Sequence, residues 1–167
     1  PDSEAGSSAS FLRLQSRETI TYLEFSHEIK SELTVTIPED DAGRQAKLDE
    51  IRSHTNRFQA YGGTAMYNAV LRAYEDMDYS NSDQLNSIVL FTDGENVDGL
   101  RARDFKMWYE SFIAMHPEAK NVPVFTVHFG DSNREELESL SQLTGGKTFD
   151  GTGDSLATAF REIRGYL

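Results

Sequence analysis

Apolar and polar positions change period several times along this chain, and each change marks an element. Residues 88–91, Ile-Val-Leu-Phe, form an apolar run with no polar alternation. Such a run predicts a strand buried on both faces, the kind found mostly in the parallel sheets of α/β proteins. Residues 18–25, rich in Thr, Ile, Tyr and Phe, predict another strand. Across residues 29–37, Leu33, Val35 and Ile37 alternate with Glu32, Thr34 and Thr36, so one face is solvated and this strand lies at an edge. The turn at Ser26 and His27 is too short for a parallel return, which needs about a dozen residues, so the two strands form an antiparallel hairpin.

Helical spacing takes over after Pro38. Glu39, Asp40 and Asp41 supply the acidic first turn of a helix expected to run to about Phe58, with Leu48, Ile51 and Phe58 facing inward. A helix from near Thr64 carries Met66, Ala69, Val70, Ala73, Tyr74 and Met77 on one face. Another over residues 102–115 carries Phe105, Trp108, Tyr109, Phe112 and Ile113, an aromatic stripe that reads as core packing. Pro117 closes it. Residues 122–129 predict a strand, 133–143 a helix with Leu137, Leu140 and Leu143 on one side, and 147–149 a very short strand after Gly145 and Gly146. Asp154 caps a last helix through Ile163. The order β-β-α-α-β-α-β-α-β-α predicts an α/β fold: a doubly wound, mostly parallel sheet with helices on both faces and one antiparallel edge strand.

Composition sharpens this only in places. The 167 residues suffice for one domain with a three-layer core. A net charge of -12 speaks against nucleic acid or an anionic lipid surface and favours cations or basic surfaces. The absence of cysteine removes disulfide, thiolate–metal and Cys-nucleophile chemistry together. No run approaches the roughly 18 apolar residues of a membrane span. Residues 1–10, P-D-S-E-A-G-S-S-A-S, have no apolar period and read as a loop or frayed terminus.

Candidate chemistry gathers where strands stop. Asp93 follows the apolar run directly, at the carboxyl end of its strand, where open α/β sheets bind ligands. Asp93-Gly94 is also an ordinary turn opener, and residue type alone leaves both readings open. Upstream, Gly62 and Gly63 precede Thr64 at a helix start. Asp98, Asp104 and Asp131 are further acidic groups; Asp104 reads as a solvated helix face and Asp131 as a loop residue. His27, His54, His116 and His128 are scattered with no i, i+4 pair, which disfavours a zinc site. No G-x-S-x-G elbow supports a Ser-His-Asp hydrolase, and Gly151-Thr152-Gly153 lacks the G-K-S/T of a phosphate loop.

The ordered set of Gly62-Gly63-Thr64, Leu90-Phe91-Thr92-Asp93-Gly94, Phe129-Gly130 and Leu143-Thr144-Gly145-Gly146 resembles a von Willebrand factor type A domain of the bacterial type. The resemblance covers residues 11–167 and leaves 1–10 as a leader or a remnant of a first loop and helix. It implies a Rossmann-like fold and a metal-ion-dependent adhesion site, in which loops at the carboxyl edge hold one divalent cation. The family's ligands are a D-x-S-x-S loop after the first strand, a threonine and a later aspartate; the threonine falls on Thr64 and the aspartate on Asp93. A hydroxyl and a carboxylate are hard oxygen donors, and few charged ligands plus waters suit Mg²⁺.

The first loop departs from the pattern. No apolar strand precedes Asp2, and Glu4 stands where the first serine belongs, so Asp2 and Ser7 are not assigned as ligands. In the family the first strand lies between those containing residues 22–25 and 88–91. The expectation is therefore that residues 1–167 alone hold Mg²⁺ weakly or not at all, that adding the first strand and its loop restores binding, and that either a strand supplied from elsewhere completes the sheet or the two neighbouring strands close up and pair directly.

The implied function is a non-enzymatic interaction module, binding a protein partner's Asp or Glu through the cation's open coordination position, in an extracytoplasmic or envelope-associated setting. The alternative is a Mg²⁺-dependent phosphotransfer enzyme with Asp93 as nucleophile. That chemistry wants a second carboxylate two residues away; position 91 is Phe91, although Glu95 stands two residues beyond.

Overall fold

A computed structural model describes residues 17–57, 63–81, 83–93, 95–130, 133–151, 158, 161–163 and 165. These fall into two compact units, residues 17–22 with 31–57 and residues 23–30 with those from 63 onward.

The first unit contains the outer part of a hairpin and one helix. Strands β1 (Thr19–Phe25) and β2 (Ile29–Thr36) form a two-stranded sheet. Hydroxyl pairs Thr19–Thr36 at 2.9 Å and Thr21–Thr34 at 2.8 Å run in opposite sequence directions, as an antiparallel ladder requires. Helix α1 (Asp41–Thr55) starts at Asp40, whose Oδ1 accepts from the Gly43 N–H at 2.7 Å. It ends three residues before the expected Phe58, which lies outside the described residues. Asn56 N–H turns back to Arg52 O, Arg57 N–H to His54 O, and the Thr55 hydroxyl to Ile51 O, so the last turn closes on itself. Ile51 packs with Val35 and Ile37, and Leu33 and Leu48 pack against them.

The second unit is built on a parallel sheet of β3 (Ile88–Thr92), β4 (Val124–His128) and β5 (Thr148–Asp150), with β4 in the middle. The register places Leu90 beside Thr126 and Thr126 beside Thr148. One face meets helix α4 (Arg134–Thr144): Thr126 Oγ1 lies 3.0 Å from Ser141 Oγ and 2.8 Å from Thr148 Oγ1. The other face carries Phe125 and Phe149 against Ile163, with Val89 alongside. Helices α2 (Met66–Asp76) and α3 (Ala102–Met115) share the larger core with α4 and the sheet. Phe105, Tyr109 and Phe112 are the buried positions of α3, which matches the predicted stripe, and Tyr74 of α2 sits among their rings. The Tyr74 hydroxyl donates to Val122 O at 2.7 Å, so a large polar-tipped ring is buried at no cost in unpaired groups.

Three differences from the sequence reading have local causes. Phe91 was expected inside but is 40% exposed, stacked on Phe129 with ring centroids 6.1 Å apart at the carboxyl end of β3. Helix α2 begins at Met66 because Thr64 and Ala65 are drawn into loop hydrogen bonds described below. A 3-10 turn, Pro117–Asn121, follows α3, with Ala119 fully buried. Among the described residues no ladder joins the hairpin to the parallel sheet. Of the last helix, residues 158, 161–163 and 165 are described as helical; its expected cap Asp154 and residues Leu156, Ala159 and Phe160 lie outside the described residues.

Candidate functional site

The two predicted ligands stand in neighbouring loops of the second unit. Thr64 is half-buried in the segment leading into α2, and Asp93 is exposed immediately after β3. Three backbone contacts position Thr64. Its carbonyl accepts from both Val97 N–H and Asp98 N–H at 3.1 Å, and the next residue, Ala65, donates its N–H to Ser26 O at 2.7 Å. The hairpin tip and the loop after β3 therefore hold the entry to α2 from two directions. Asp93 is set by the strand before it: Thr92 is buried, and its carbonyl accepts from Phe129 N–H at 3.3 Å, which ties the ends of β3 and β4 together.

Asp98 adds a group that the sequence marks only as a further acidic residue beside the candidate site. Its carboxylate lies against Gly63, where any Cβ would overlap it. The position is near the amino end of α2, where the helix dipole favours an anion. The signal that could have marked it was the unsubstituted Gly63 beside Thr64, since a glycine where another group comes close is a packing statement.

Asn96 completes the loop. Its Nδ2 donates to Leu100 O at 2.8 Å, while its Oδ1 is buried with no hydrogen-bond partner among the described residues. Turning the amide over would set Oδ1 against the Leu100 carbonyl, and the orientation is thereby fixed.

The donors fit a hard divalent cation in kind. Thr64 offers a hydroxyl, and Asp93 and Asp98 offer carboxylates, the last seated in the space that Gly63 leaves. In number they are few: among the described residues no group of three or more His, Cys, Asp or Glu is placed to hold a metal. Water or a partner's oxygen would fill the remaining positions. The stretch from Asp2 to Ser8, weighed above as a first loop, lies outside the described residues, as do Gly62 and Gly94. The histidines stand apart from this edge or from one another: His27 beside Glu28, His54 with Ser31 Oγ at 3.4 Å, His116 packed on Tyr79 and Phe112, and His128 at the end of β4.

A parallel α/β sheet with helices on its faces, and oxygen donors on loops at the carboxyl edge, defines a class of doubly wound domains that place ligands at strand ends. A profile described as von Willebrand factor type A domain matches residues 11–160, nearly the whole chain, and the chain belongs to that family. No match was found among curated proteins. Among solved structures, the chain is similar to a von Willebrand factor type A protein from Catenulispora acidiphila at 20% identity with a TM-score of 0.64; the match covers 90% of this chain and 34% of that one. The chain thus spans about a third of that protein's length. An uncharacterized membrane spanning protein from Vibrio fischeri matches at 16% identity, a TM-score of 0.38, and 88% and 75% coverage. Domains of this family are generally non-enzymatic modules of protein–protein interaction. No helix among the described residues is long and apolar enough to cross a membrane.

Proposed function

We propose that this module binds its protein partner through one divalent cation, Mg²⁺ by its donor chemistry, held at the carboxyl edge by Thr64 and Asp93. The observation that carries the reading is the pair of hydrogen bonds from Val97 and Asp98 to the Thr64 carbonyl, which joins the loop bearing the hydroxyl to the loop bearing the carboxylate. The cation supplies an electrophilic point; the chain's own part is to orient two oxygens and leave the rest of the coordination shell open. A partner Asp or Glu suits that opening, because a cation offset by few protein charges attracts a carboxylate strongly. The net charge of -12 works in the same direction, since it disfavours a bare acidic partner until a cation bridges the two.

Calorimetric titration with Mg²⁺ and Mn²⁺ of the intact domain, with the first strand and loop expected from elsewhere in place, repeated with Thr64→Ala and Asp93→Ala, tests this. Loss of heat in both variants, with unchanged circular dichroism, is the expected result. Equal affinity in parent and variants would place the cation elsewhere and overturn the assignment.

A further inference from the structure

Residues 96–100 are fastened to the start of α2 on two sides. Thr64 O receives the N–H groups of Val97 and Asp98, each at 3.1 Å. Within the first turn of the helix, Asn68 Oδ1 accepts the Leu100 N–H at 2.7 Å. Between these anchors, Asn96 Nδ2 donates to Leu100 O at 2.8 Å, so Leu100 has both backbone groups held by asparagine amides. Gly99 has φ +70, a conformation that disfavours other residues, and a Cβ there would also overlap the Asn68 Oδ1. The amide of Asn68 fills the space that this glycine leaves.

Asn68 is exposed and stands apart from the core, and asparagine is a poor helix former. What its side chain contributes is the contact with the loop. Leu100, half-buried against the main core, gives that contact a fixed base.

We propose that Asn68, acting with Asn96 and Gly99, is a positioning residue that clamps the loop following Asp93 onto the helix entry bearing Thr64. The clamp rests on the cation reading above for its purpose, though not for its geometry. It acts on no ligand directly. Two of its three residues sit in the loop and one on α2, so it keeps the two ligand-bearing segments in register without using either ligand's side chain. Breaking it frees residues 96–100 to move away from Thr64, and the two donors then have to be brought together again when the cation binds.

The test uses the full chain in three forms: parent, Asn68→Ala and Asn68→Asp, the last keeping an acceptor oxygen at the same place. Hydrogen exchange is followed at the amides of Val97, Asp98 and Leu100, and Mn²⁺ affinity by titration. Asn68→Ala is expected to speed exchange at the three amides, and to weaken Mn²⁺ binding, each by about tenfold, the scale of one net hydrogen bond. The β4 amides should keep their protection, and Asn68→Asp should restore the loop. Unchanged exchange at Val97 and Asp98 in Asn68→Ala would overturn the clamp. So would an aspartate variant no better than alanine. A loosened loop with unchanged Mn²⁺ affinity would remove the positioning role. If the parent takes up no Mn²⁺ even with the expected first strand and loop supplied, the cation reading fails while the exchange measurements still decide whether the clamp exists.

Discussion

The carboxylate of Asp98 occupies the space a side chain on Gly63 would need, while its backbone N–H is held by the carbonyl of Thr64. A residue with a Cβ at position 63 must therefore push the carboxylate out, because the backbone of Asp98 is anchored. Gly63→Ala is expected to cost about 1–2 kcal/mol through this overlap. Adding Asp98→Ala should recover most of the loss, since the colliding oxygens are then gone. Denaturant unfolding of both single variants and the double variant reads the coupling. Strict additivity would show that the two positions do not share the space.

Much of this architecture was legible in the sequence because it depends on period. Phe105, Tyr109 and Phe112 recur at helical spacing, and α3 has the bounds that spacing predicts. Pro38 followed by three acidic residues marked the start of α1, and the structure makes Asp40 its cap. The uncovered ring of Phe91 was not legible, because an apolar run tells how apolar a strand is and says nothing of how far its cover extends. The loop after β3 was opaque for another reason. Asn68, Asn96 and Asp98 are polar residues without period, and their contacts reach far along the chain, from Asn68 to Leu100 and from Asp98 back to Gly63 and Thr64. Thr64 and Asp93 came from family resemblance; residue type alone left Asp93 equally readable as a turn.

Two buried threonines where α4 meets the sheet, Thr126 on β4 and Thr144 at the end of α4, should respond differently to the same change. Thr144 Oγ1 is the acceptor for the Val124 N–H at 3.1 Å, at the start of the central strand. Thr144→Val leaves that buried N–H unpaired and is expected to cost about 1–3 kcal/mol. Thr126→Val should cost less, because Ser141 and Thr148 keep each other, with the Thr148 hydroxyl donating to Ser141 Oγ at 3.3 Å. Thr144→Ser should recover most of the stability. Unfolding free energies in the reverse order would mean that the hydroxyl network around Thr126 outweighs one strand amide.

In the proposed cation site the two candidate donors are unequal. Thr64 contributes a neutral oxygen and Asp93 a charge, so Asp93→Asn should weaken Mn²⁺ binding more than Thr64→Ala, by about tenfold or more between them. Thr64→Ser keeps the hydroxyl and should bind nearly as the parent does. Titration with Mn²⁺ at fixed ionic strength measures all three. A serine variant as poor as alanine would show that the threonine methyl, and hence packing, carries the effect.

The buried tyrosines make the fold sensitive to alkali. Burial raises Tyr67 and Tyr74 far above the usual phenol value of 10.0, with Glu136 adding to the first and Tyr109 to the second. Tyr79 is pushed up to about 12, again mainly by burial. A raised folded pKa means the folded chain keeps its phenol protons after the unfolded chain has begun to release them. The stability these groups contribute is complete below pH 10 and declines as pH climbs from there toward each folded value, a window that for Tyr79 closes near 12. Each such tyrosine steepens the decline by up to about 1.4 kcal/mol per pH unit. Tyr74→Phe separates the two parts of the effect. At pH 8 the variant should be less stable by about 1–2 kcal/mol, because Val122 O loses its donor. Above pH 10 its stability should fall less steeply than the parent's, since one titrating phenol is gone. Guanidinium unfolding at pH 8, 10 and 11 gives both slopes, and parallel slopes for parent and Tyr74→Phe would show that Tyr74 has no part in the alkaline loss.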